Sequence, residues 1–226
     1  MKDETTVVPL RGIRGMVADK MLASAQGSAQ VTHYADCDMT ALGAAKESLA
    51  ESGTHVSIED LLILCVAQAL GRHPDLNGTL VDRQITLQKR IHISIAIALP
   101  GNLLVAPTIF DAHAMSVTEL RERRQDLAAR AKANKVTVKE MTGGTFTISN
   151  LGISRVHHFS PIINAPQIGI CGFGRAEERA CRGPKGELEW RRFMGLSLTF
   201  DHRAVDGAPA AAFLSDLCQT IEDFRH

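Results

Sequence analysis

The sequence lacks any long uninterrupted apolar segment. Nowhere among its 226 residues does an apolar run reach the roughly 18 residues that a membrane-spanning helix needs. The chain begins Met-Lys-Asp-Glu-Thr-Thr, which is polar and carries no apolar stretch of the signal-peptide kind. We therefore expect a protein that is neither secreted nor embedded in a membrane, with the cytoplasm as its compartment.

The sequence also lacks an excess of charge of either sign. Lysine and arginine together number 25, as do aspartate and glutamate, and a balanced charge argues against nucleic acid as a partner. The five cysteines include no CxxC pair, and their odd number fits a reducing compartment better than a disulfide framework. His157 and His158 are adjacent and have no third ligand at the usual spacing, so we expect no metal site.

No linker, repeat or low-complexity tract divides the chain, and helical and strand patterns alternate along it. A single α/β domain over residues 1–226 is therefore predicted, large enough to bury a substantial core. Ser57 with Asp60, and Ser116 before a charged segment, predict helix starts, and Asp82-Arg83 predicts a hairpin turn. Helices are expected at residues 13–24 (amphipathic), 40–52, 58–70, 117–134 and 208–224, and strands at 30–38, around 77–87, 90–99, 103–109, 145–150, 167–174, 186–191 and 194–200.

His202 lies between the last predicted strand and the last predicted helix. Residues 194–200 read Met-Gly-Leu-Ser-Leu-Thr-Phe, an alternation typical of a half-buried strand, and residues 208–224 have helical spacing. A histidine on such a turn can project into a cleft, and a neutral imidazole is well suited to removing a proton near pH 7. For a lone histidine the alternative is a turn residue satisfied by local hydrogen bonds.

Several separated motifs help to decide whether His202 is a general base or an ordinary turn residue. Residues 201–207 read DHRAVDG and resemble the DHRxxDG pattern of the catalytic domain of dihydrolipoamide acyltransferases, the core enzymes of 2-oxoacid dehydrogenase complexes. The resemblance extends in the right order over nearly all of the chain, and its further motifs are TFTISNLG at 145–152, PIINAPQ at 161–167, the segments 91–109 and 7–21, and DCDMT at 36–40.

The resemblance implies a fold like that of chloramphenicol acetyltransferase. That fold is a mixed β-sheet covered by helices, assembled as a homotrimer with each active site at a subunit interface. His202 of one subunit would face Ser149 of its neighbour. The implied reaction moves an acyl group between coenzyme A and a thiol such as dihydrolipoamide, with the lipoyl group supplied by another chain or domain and with no metal.

The same resemblance assigns roles to three residues. His202 would act as the general base toward the thiol, and the Ser149 hydroxyl would donate a hydrogen bond to the oxyanion of the tetrahedral intermediate. Asp206 would pair with a cation and hold the His202 turn in shape. Alternatively Asp206 is an acid at a helix N-terminus, stabilised by the helix dipole, and the two roles are compatible.

Two departures from the family limit what is carried over. The catalytic pattern starts within ten residues of Met1, so we expect no lipoyl or subunit-binding domain in this chain; the chain also ends soon after the last helix, which favours a free trimer over a cage. Lipoyl domains, other acyl carriers and 2-oxoacid dehydrogenase components are possible partners.

Two other functions stay open. One is an O-acetyltransferase that acts on a small hydroxylated acceptor, and the other is a non-catalytic core or scaffold protein. A hydrolase triad of Ser149, His202 and Asp206 is disfavoured, because the sequence has no GxSxG elbow and the acid stands only four residues from the histidine.

Overall fold

A computed structural model describes residues 5–101 and 103–225, and it confirms the α/β class. The helices are α1 (Gly12–Gly27), α2 (Thr40–Glu51), α3 (Ile58–Arg72), α4 (Val117–Lys132), α5 (Val138–Thr142) and α6 (Gly207–Glu222). The strands are β1 (Gln30–Asp38), β2 (Gly78–Val81), β3 (Gln84–Leu87), β4 (Ile93–Ile95), β5 (Ile97–Leu99), β6 (Leu103–Val105), β7 (Thr108–Ile109), β8 (Phe146–Asn150), β9 (Gly169–Arg182) and β10 (Leu188–Asp201).

Six strands form one mixed sheet in the order β1-β10-β9-β8-β4-β7. Strand β8 runs parallel to β4 and β9, whereas β10 runs antiparallel to β1 and β9, and β7 runs antiparallel to β4. The remaining strands pair as two ribbons, β2 with β3 and β5 with β6. The long β9–β10 hairpin therefore stands in the middle of the sheet, with β1 as an edge strand beside it.

Helices α3 and α6 cover one face of this sheet. Nearly every side chain of α3 from Asp60 to Leu70 is buried, as expected for a helix that is apolar on most sides. Helix α6 buries a single stripe, and β10 turns alternate side chains toward it, so that burial of these apolar groups supplies the main stabilisation of the fold. The stripe is Ala210, Phe213, Leu214, Leu217 and Ile221, and the strand contributes Leu196, Leu198 and Phe200.

The loop between β8 and β9 crosses the opposite face of the sheet. Three glycines on β9 and β10 leave the space for it. A Cβ atom would stand 2.7 Å from the Phe159 ring at Gly172, and 1.8 Å and 2.1 Å from the His157 carbonyl oxygen at Gly174 and Gly195. The absence of a side chain at these positions thus lets the loop lie directly on the strands.

The local signals read from the sequence are confirmed. Ser57 with Asp60 and Ser116 with Glu119 form complete capping boxes at the starts of α3 and α4. Asp82 and Arg83 both have positive φ, 47° and 64°, which is the backbone of a two-residue hairpin turn. Helix α5, which opens with a third capping box, was not predicted.

The later strands differ from the prediction. Residues 186–191 and 194–200 belong to one strand, β10, with a register shift between Met194 and Leu196. The predicted strand 90–99 splits instead into β4 and β5. The Ala96 N–H still donates to the Ile148 carbonyl of β8, and after that residue the chain leaves the sheet for the β5–β6 ribbon. Both differences depend on partner strands that are distant in sequence.

Helix α1 buries little within the chain. Ser24 is its one buried residue, while Ile13, Met16 and Leu22 are exposed, as are Val7 and other apolar residues before the helix. Ile13 and Leu22 lie on opposite sides of α1, so the helix has no single apolar face and the prediction of an amphipathic helix is wrong, although its position is confirmed. Across the described residues, we find no helix with the length and apolar character needed to traverse a bilayer.

Candidate active site

His202 lies on the turn between β10 and α6, as the sequence indicates. Its backbone N–H donates to the Ala29 carbonyl at 2.9 Å, which ties the turn to the start of β1. Its side chain is nearly half exposed, and the imidazole tilts against the Phe200 ring at 5.8 Å between centroids. The imidazole is thus held at the surface of the chain, where it can reach a second molecule.

A buried carboxylate fixes this turn. Asp201 Oδ1 accepts the backbone N–H groups of Ala29 and Arg203 at 3.2 and 3.1 Å, and the Arg203 guanidinium pairs with the same carboxylate at 2.6 Å. Burial by itself would raise the pKa of Asp201, but these hydrogen bonds outweigh it and the pKa is lowered. The DHR triplet therefore carries its own ion pair, on either side of His202.

Asp206 makes few contacts within the described part of the chain. It occupies the N-cap position of α6 without a side-chain capping bond, and its side chain is 85% exposed. Its contact with a titratable side chain in the described part of the chain is with His202, whose Nδ1 lies 3.7 Å from Asp206 Oδ1, beyond hydrogen-bond distance. The turn is held by Asp201 and Arg203, while Asp206 lies at the positive end of the helix dipole.

Ser149 lies near the end of β8, on the sheet face opposite α3. Side chains alternate along a strand, and Phe146 and Ile148 point into the helix-covered core. Ser149 pairs with Gly172 of β9, where the Phe159 ring packs. Its hydroxyl forms no hydrogen bond to any described residue, so the hydroxyl is available as a donor.

A network of hydrogen-bonded polar side chains lies next to Ser149 on the same face of the sheet. Thr147 donates to Gln167 Oε1, Gln167 donates to Ser94 Oγ at 3.2 Å, and Ser94 contacts Thr108. Because all four are buried and bonded to one another, the polar groups beside Ser149 are satisfied without it. Asn164 connects this network to α1. It donates to Thr147, and its Oδ1 atom accepts a hydrogen bond from Lys20 Nζ at 2.6 Å.

A cleft of about 590 Å³ opens beyond the end of β8. Asn150 and Glu59 lie on its wall 3.5 Å apart, together with the guanidinium groups of Arg124, Arg175 and Arg192. Burial raises the pKa of Glu59, although Arg124 acts in the opposite direction. The cleft therefore combines cationic groups with a partly buried acid, next to the strand that carries Ser149.

Ser149 and His202 do not meet within one chain. Ser149 aligns with Gly172, and Gly172 aligns with Ser197 on β10. His202 follows Ser197 by five residues, so it lies roughly 16 Å further along the strand direction and about 10 Å across two strand spacings. The two groups are therefore separated by two strand spacings and by about five residues along the strand direction, and no described residue bridges them.

Among residues 5–101 and 103–225, no cluster of three histidine, cysteine, aspartate or glutamate side chains has the arrangement of a metal centre. His157 and His158 instead face carboxylates, with Glu177 Oε2 3.6 Å from His157 Nδ1 and Asp36 Oδ1 3.3 Å from His158 Nε2.

The fold is that of chloramphenicol acetyltransferase. A structure described under that name superimposes with a TM-score of 0.58 over 95% of this chain and 98% of its own, at 14% identity, which is a likeness of fold. The family model for the catalytic domain of 2-oxoacid dehydrogenases acyltransferases matches residues 2–226. The chain belongs to this acyltransferase family.

Two relatives within the family are informative. The dihydrolipoyllysine-residue acetyltransferase component of the acetoin cleaving system of Bacillus subtilis is 35% identical over 96% of this chain and 55% of its own length. A structure of Azotobacter vinelandii dihydrolipoamide acetyltransferase superimposes with a TM-score of 0.91 at 29% identity, over 98% of this chain and 93% of that one. This chain thus spans about half the length of the curated relatives it matches.

The Azotobacter structure was studied for the roles of one serine, one histidine and one asparagine in its catalytic mechanism. The histidine and the asparagine are four residues apart there, the spacing of His202 and Asp206 here. Four residues after the histidine, this chain thus has an aspartate, Asp206, where the Azotobacter protein has an asparagine.

The sequence interpretation missed Asp201 and Arg203 as the residues that hold the turn. Both belong to the DHRxxDG motif, and their i, i+2 spacing around the histidine was the available signal. What the spacing could not show is that Asp201 is buried while Asp206 is exposed, since that depends on how the turn packs against β1.

Proposed function

We propose that this protein is an acyltransferase that moves an acyl group between coenzyme A and a thiol such as dihydrolipoamide. The observation that carries the proposal is the pair of free catalytic groups in a chain of this family. His202 is held on a rigid turn with an exposed imidazole, and Ser149 presents a hydroxyl with no partner among the described residues.

The chemistry follows from these two groups. With Asp206 beside Nδ1, the Nε2 atom of His202 removes the proton of the attacking thiol, whose pKa is ordinarily about 8.5. The thiolate adds to the thioester carbonyl, and the Ser149 hydroxyl donates a hydrogen bond to the oxyanion. The tetrahedral intermediate then collapses, the second thiolate leaves, and His202 returns the proton to it. One thioester is broken and one is formed, and no acyl-enzyme is needed.

We also propose that the active unit is a homotrimer in which His202 of one subunit meets Ser149 of the next. The separation of the two groups in one chain supports this, since neither can serve the other intramolecularly. The exposed apolar side chains before and along α1 are further support, because surfaces of this kind are covered in obligate assemblies.

The acyl carrier belongs to the same proposal. The lipoyl group would be supplied by another chain or domain, in a complex with 2-oxoacid dehydrogenase components, and the cytoplasm is the proposed compartment. Relatives with this catalytic domain are named as acetyltransferases or succinyltransferases, so the acyl group has to be measured.

The test is acyl transfer from acetyl-, propionyl-, isobutyryl- and succinyl-coenzyme A to free dihydrolipoamide. We expect transfer by the wild-type protein, and a loss of about a hundred- to ten-thousand-fold in His202→Ala, as is usual when a general base is removed. Ser149→Ala should lose on the order of a hundredfold or more. Equal activity in His202→Ala and wild type would contradict the proposal, as would the absence of transfer from every donor.

A further inference from the structure

Two cysteines from distant parts of the chain meet where α6 packs against the edge strand β1. Cys37 of β1 is fully buried, and Cys218 of α6 is partly exposed. The Sγ atom of Cys37 lies 3.6 Å from the carbonyl oxygen of Cys218. The residues stand 181 positions apart in sequence, so only the packing of α6 on β1 brings them together.

The contact makes the two thiols chemically unequal. The neighbouring Cys37 side chain lowers the pKa of Cys218, although burial opposes it. The Cys218 side chain, together with burial, raises the pKa of Cys37. An accessible thiol with thiolate character beside a buried thiol is the arrangement in which the first reacts with an oxidant and the second resolves the product.

The other cysteines lack one or both of these properties. Cys65 and Cys171 are buried in the core, and burial raises the pKa of each, that of Cys65 to about 12. Cys181 is partly exposed on the β9–β10 hairpin, where its Sγ contacts the carbonyl of Arg179 two residues away. Cys181 is therefore a natural control for exposure without a neighbouring thiol.

We propose that Cys37 and Cys218 form a reversible intramolecular disulfide that fastens α6 to β1. With a hydroperoxide as the oxidant, the Cys218 thiolate attacks the peroxide oxygen and becomes a sulfenic acid, and the first water leaves. Cys37 sulfur then attacks the Cys218 sulfur, the S–S bond forms, and its thiol proton leaves with the sulfenic hydroxyl as the second water. Two thiols are oxidised by two electrons, and one hydrogen peroxide is reduced to two waters.

The bond would act on the element that follows the His202 turn. Helix α6 begins at Gly207, directly after Asp206, and its C-terminal half would become covalently joined to β1. Closing so long a loop restricts the unfolded chain, and we expect the oxidised protein to melt several degrees higher than the reduced protein. This inference does not rest on acyl transfer, and it can be tested even if that proposal fails.

The experiment treats the reduced, full-length wild-type protein with hydrogen peroxide, blocks the remaining thiols by alkylation and maps its peptides without reduction. We expect one cross-linked species that joins the peptides of Cys37 and Cys218, with the loss of two hydrogens, and its disappearance after dithiothreitol. In Cys37→Ala, the sulfenic acid on Cys218 should persist and be trapped by dimedone. Cys181→Ser should give the same cross-link as wild type.

The wild-type map alone decides the matter if a cysteine variant folds poorly. A map with no Cys37–Cys218 species, or with a different pair joined, would overturn the proposal. So would a reduced and an oxidised protein with the same melting temperature, or dimedone labelling of Cys218 that is as strong in wild type as in Cys37→Ala.

Discussion

At the scale of single residues, the DHRAVDG turn divides two tasks between its two acids. Asp201 is buried and bonded to Ala29 and Arg203, whereas Asp206 is exposed beside the His202 imidazole. The buried acid therefore holds the turn, and we expect the exposed acid to orient the imidazole of His202. The two acids should respond differently to the same substitution.

Asp201→Asn should lower the free energy of unfolding by about 2 kcal/mol. The amide keeps the size of the side chain but loses the charge that Arg203 and two backbone N–H groups face, and hydrogen bonds to charged groups contribute about 1.5 to 3 kcal/mol. Urea unfolding measures the loss. Asp206→Asn is the matched control for stability, and we expect a change below about 0.5 kcal/mol because its side chain is exposed.

A larger loss in Asp206→Asn than in Asp201→Asn would contradict this division of tasks. The same pair of variants also separates the effects on catalysis. Asp206→Asn should change the rate of acyl transfer while leaving the unfolding curve nearly in place.

His92 makes stability depend on pH. Its Nδ1 accepts the Asp111 N–H at 3.0 Å, which requires a neutral imidazole, and burial lowers its pKa although the Asp111 carboxylate acts in the opposite direction. With the folded pKa below the unfolded value of about 6.5, this contribution is fully present above that value and is lost as the pH falls from there through the folded pKa. The slope for one group reaches at most about 1.4 kcal/mol per pH unit.

Free energies of unfolding measured by urea between pH 7.5 and 5 should therefore fall less steeply in His92→Gln than in wild type. His55→Gln is the control, since His55 is exposed and forms no contact with a described residue that constrains its ring. A wild-type slope retained in His92→Gln would show that another group is responsible.

At the scale of elements, the loop that follows β8 is seated on glycines of β9 and β10. Gly174→Ala would place a Cβ atom 1.8 Å from the His157 carbonyl oxygen, a backbone atom that cannot rotate away. We expect a loss of about 1 to 3 kcal/mol in the free energy of unfolding, as for other overpacked sites. Gly43→Ala in α2, where no described atom outside the adjoining helix backbone lies within 4 Å of the new methyl group, should be neutral or stabilising.

Chemical denaturation of the two alanine variants, side by side, tests this. Equal midpoints would mean that the loop can move away from β9 at no cost, and the account of this face would be wrong.

The elements that the sequence predicted well are those with a local cause. The capping boxes at Ser57 and Ser116 and the turn at Asp82-Arg83 depend on neighbours within three residues, and all three are present. The continuity of β10 through Gly195 and the break at Ala96 depend on register with distant strands. The candidate site behaves likewise: the resemblance pointed to Ser149 and His202 on different subunits, but only the strand register shows how far apart the two groups lie within one chain.

At the scale of the whole molecule, the distance between Ser149 and His202 within one chain bears on how many chains an active site needs. Ser149 is on β8 and His202 follows β10, with β9 between these strands and the strand direction adding most of the distance. If both groups act on one thioester, each site takes one group from each of two chains. A single chain then contributes His202 to one site and Ser149 to another, and it completes neither site alone.

The most direct measurement of this claim is activity in mixed assemblies of two inactive variants. His202→Ala and Ser149→Ala chains with different affinity tags are coexpressed, and assemblies carrying both tags are isolated. In a cyclic trimer of either mixed composition one of three interfaces joins an intact His202 to an intact Ser149, so acyl transfer should recover to about one third of wild type. Recovery to that level supports the shared site, whereas mixed assemblies as inactive as the separate variants would contradict it.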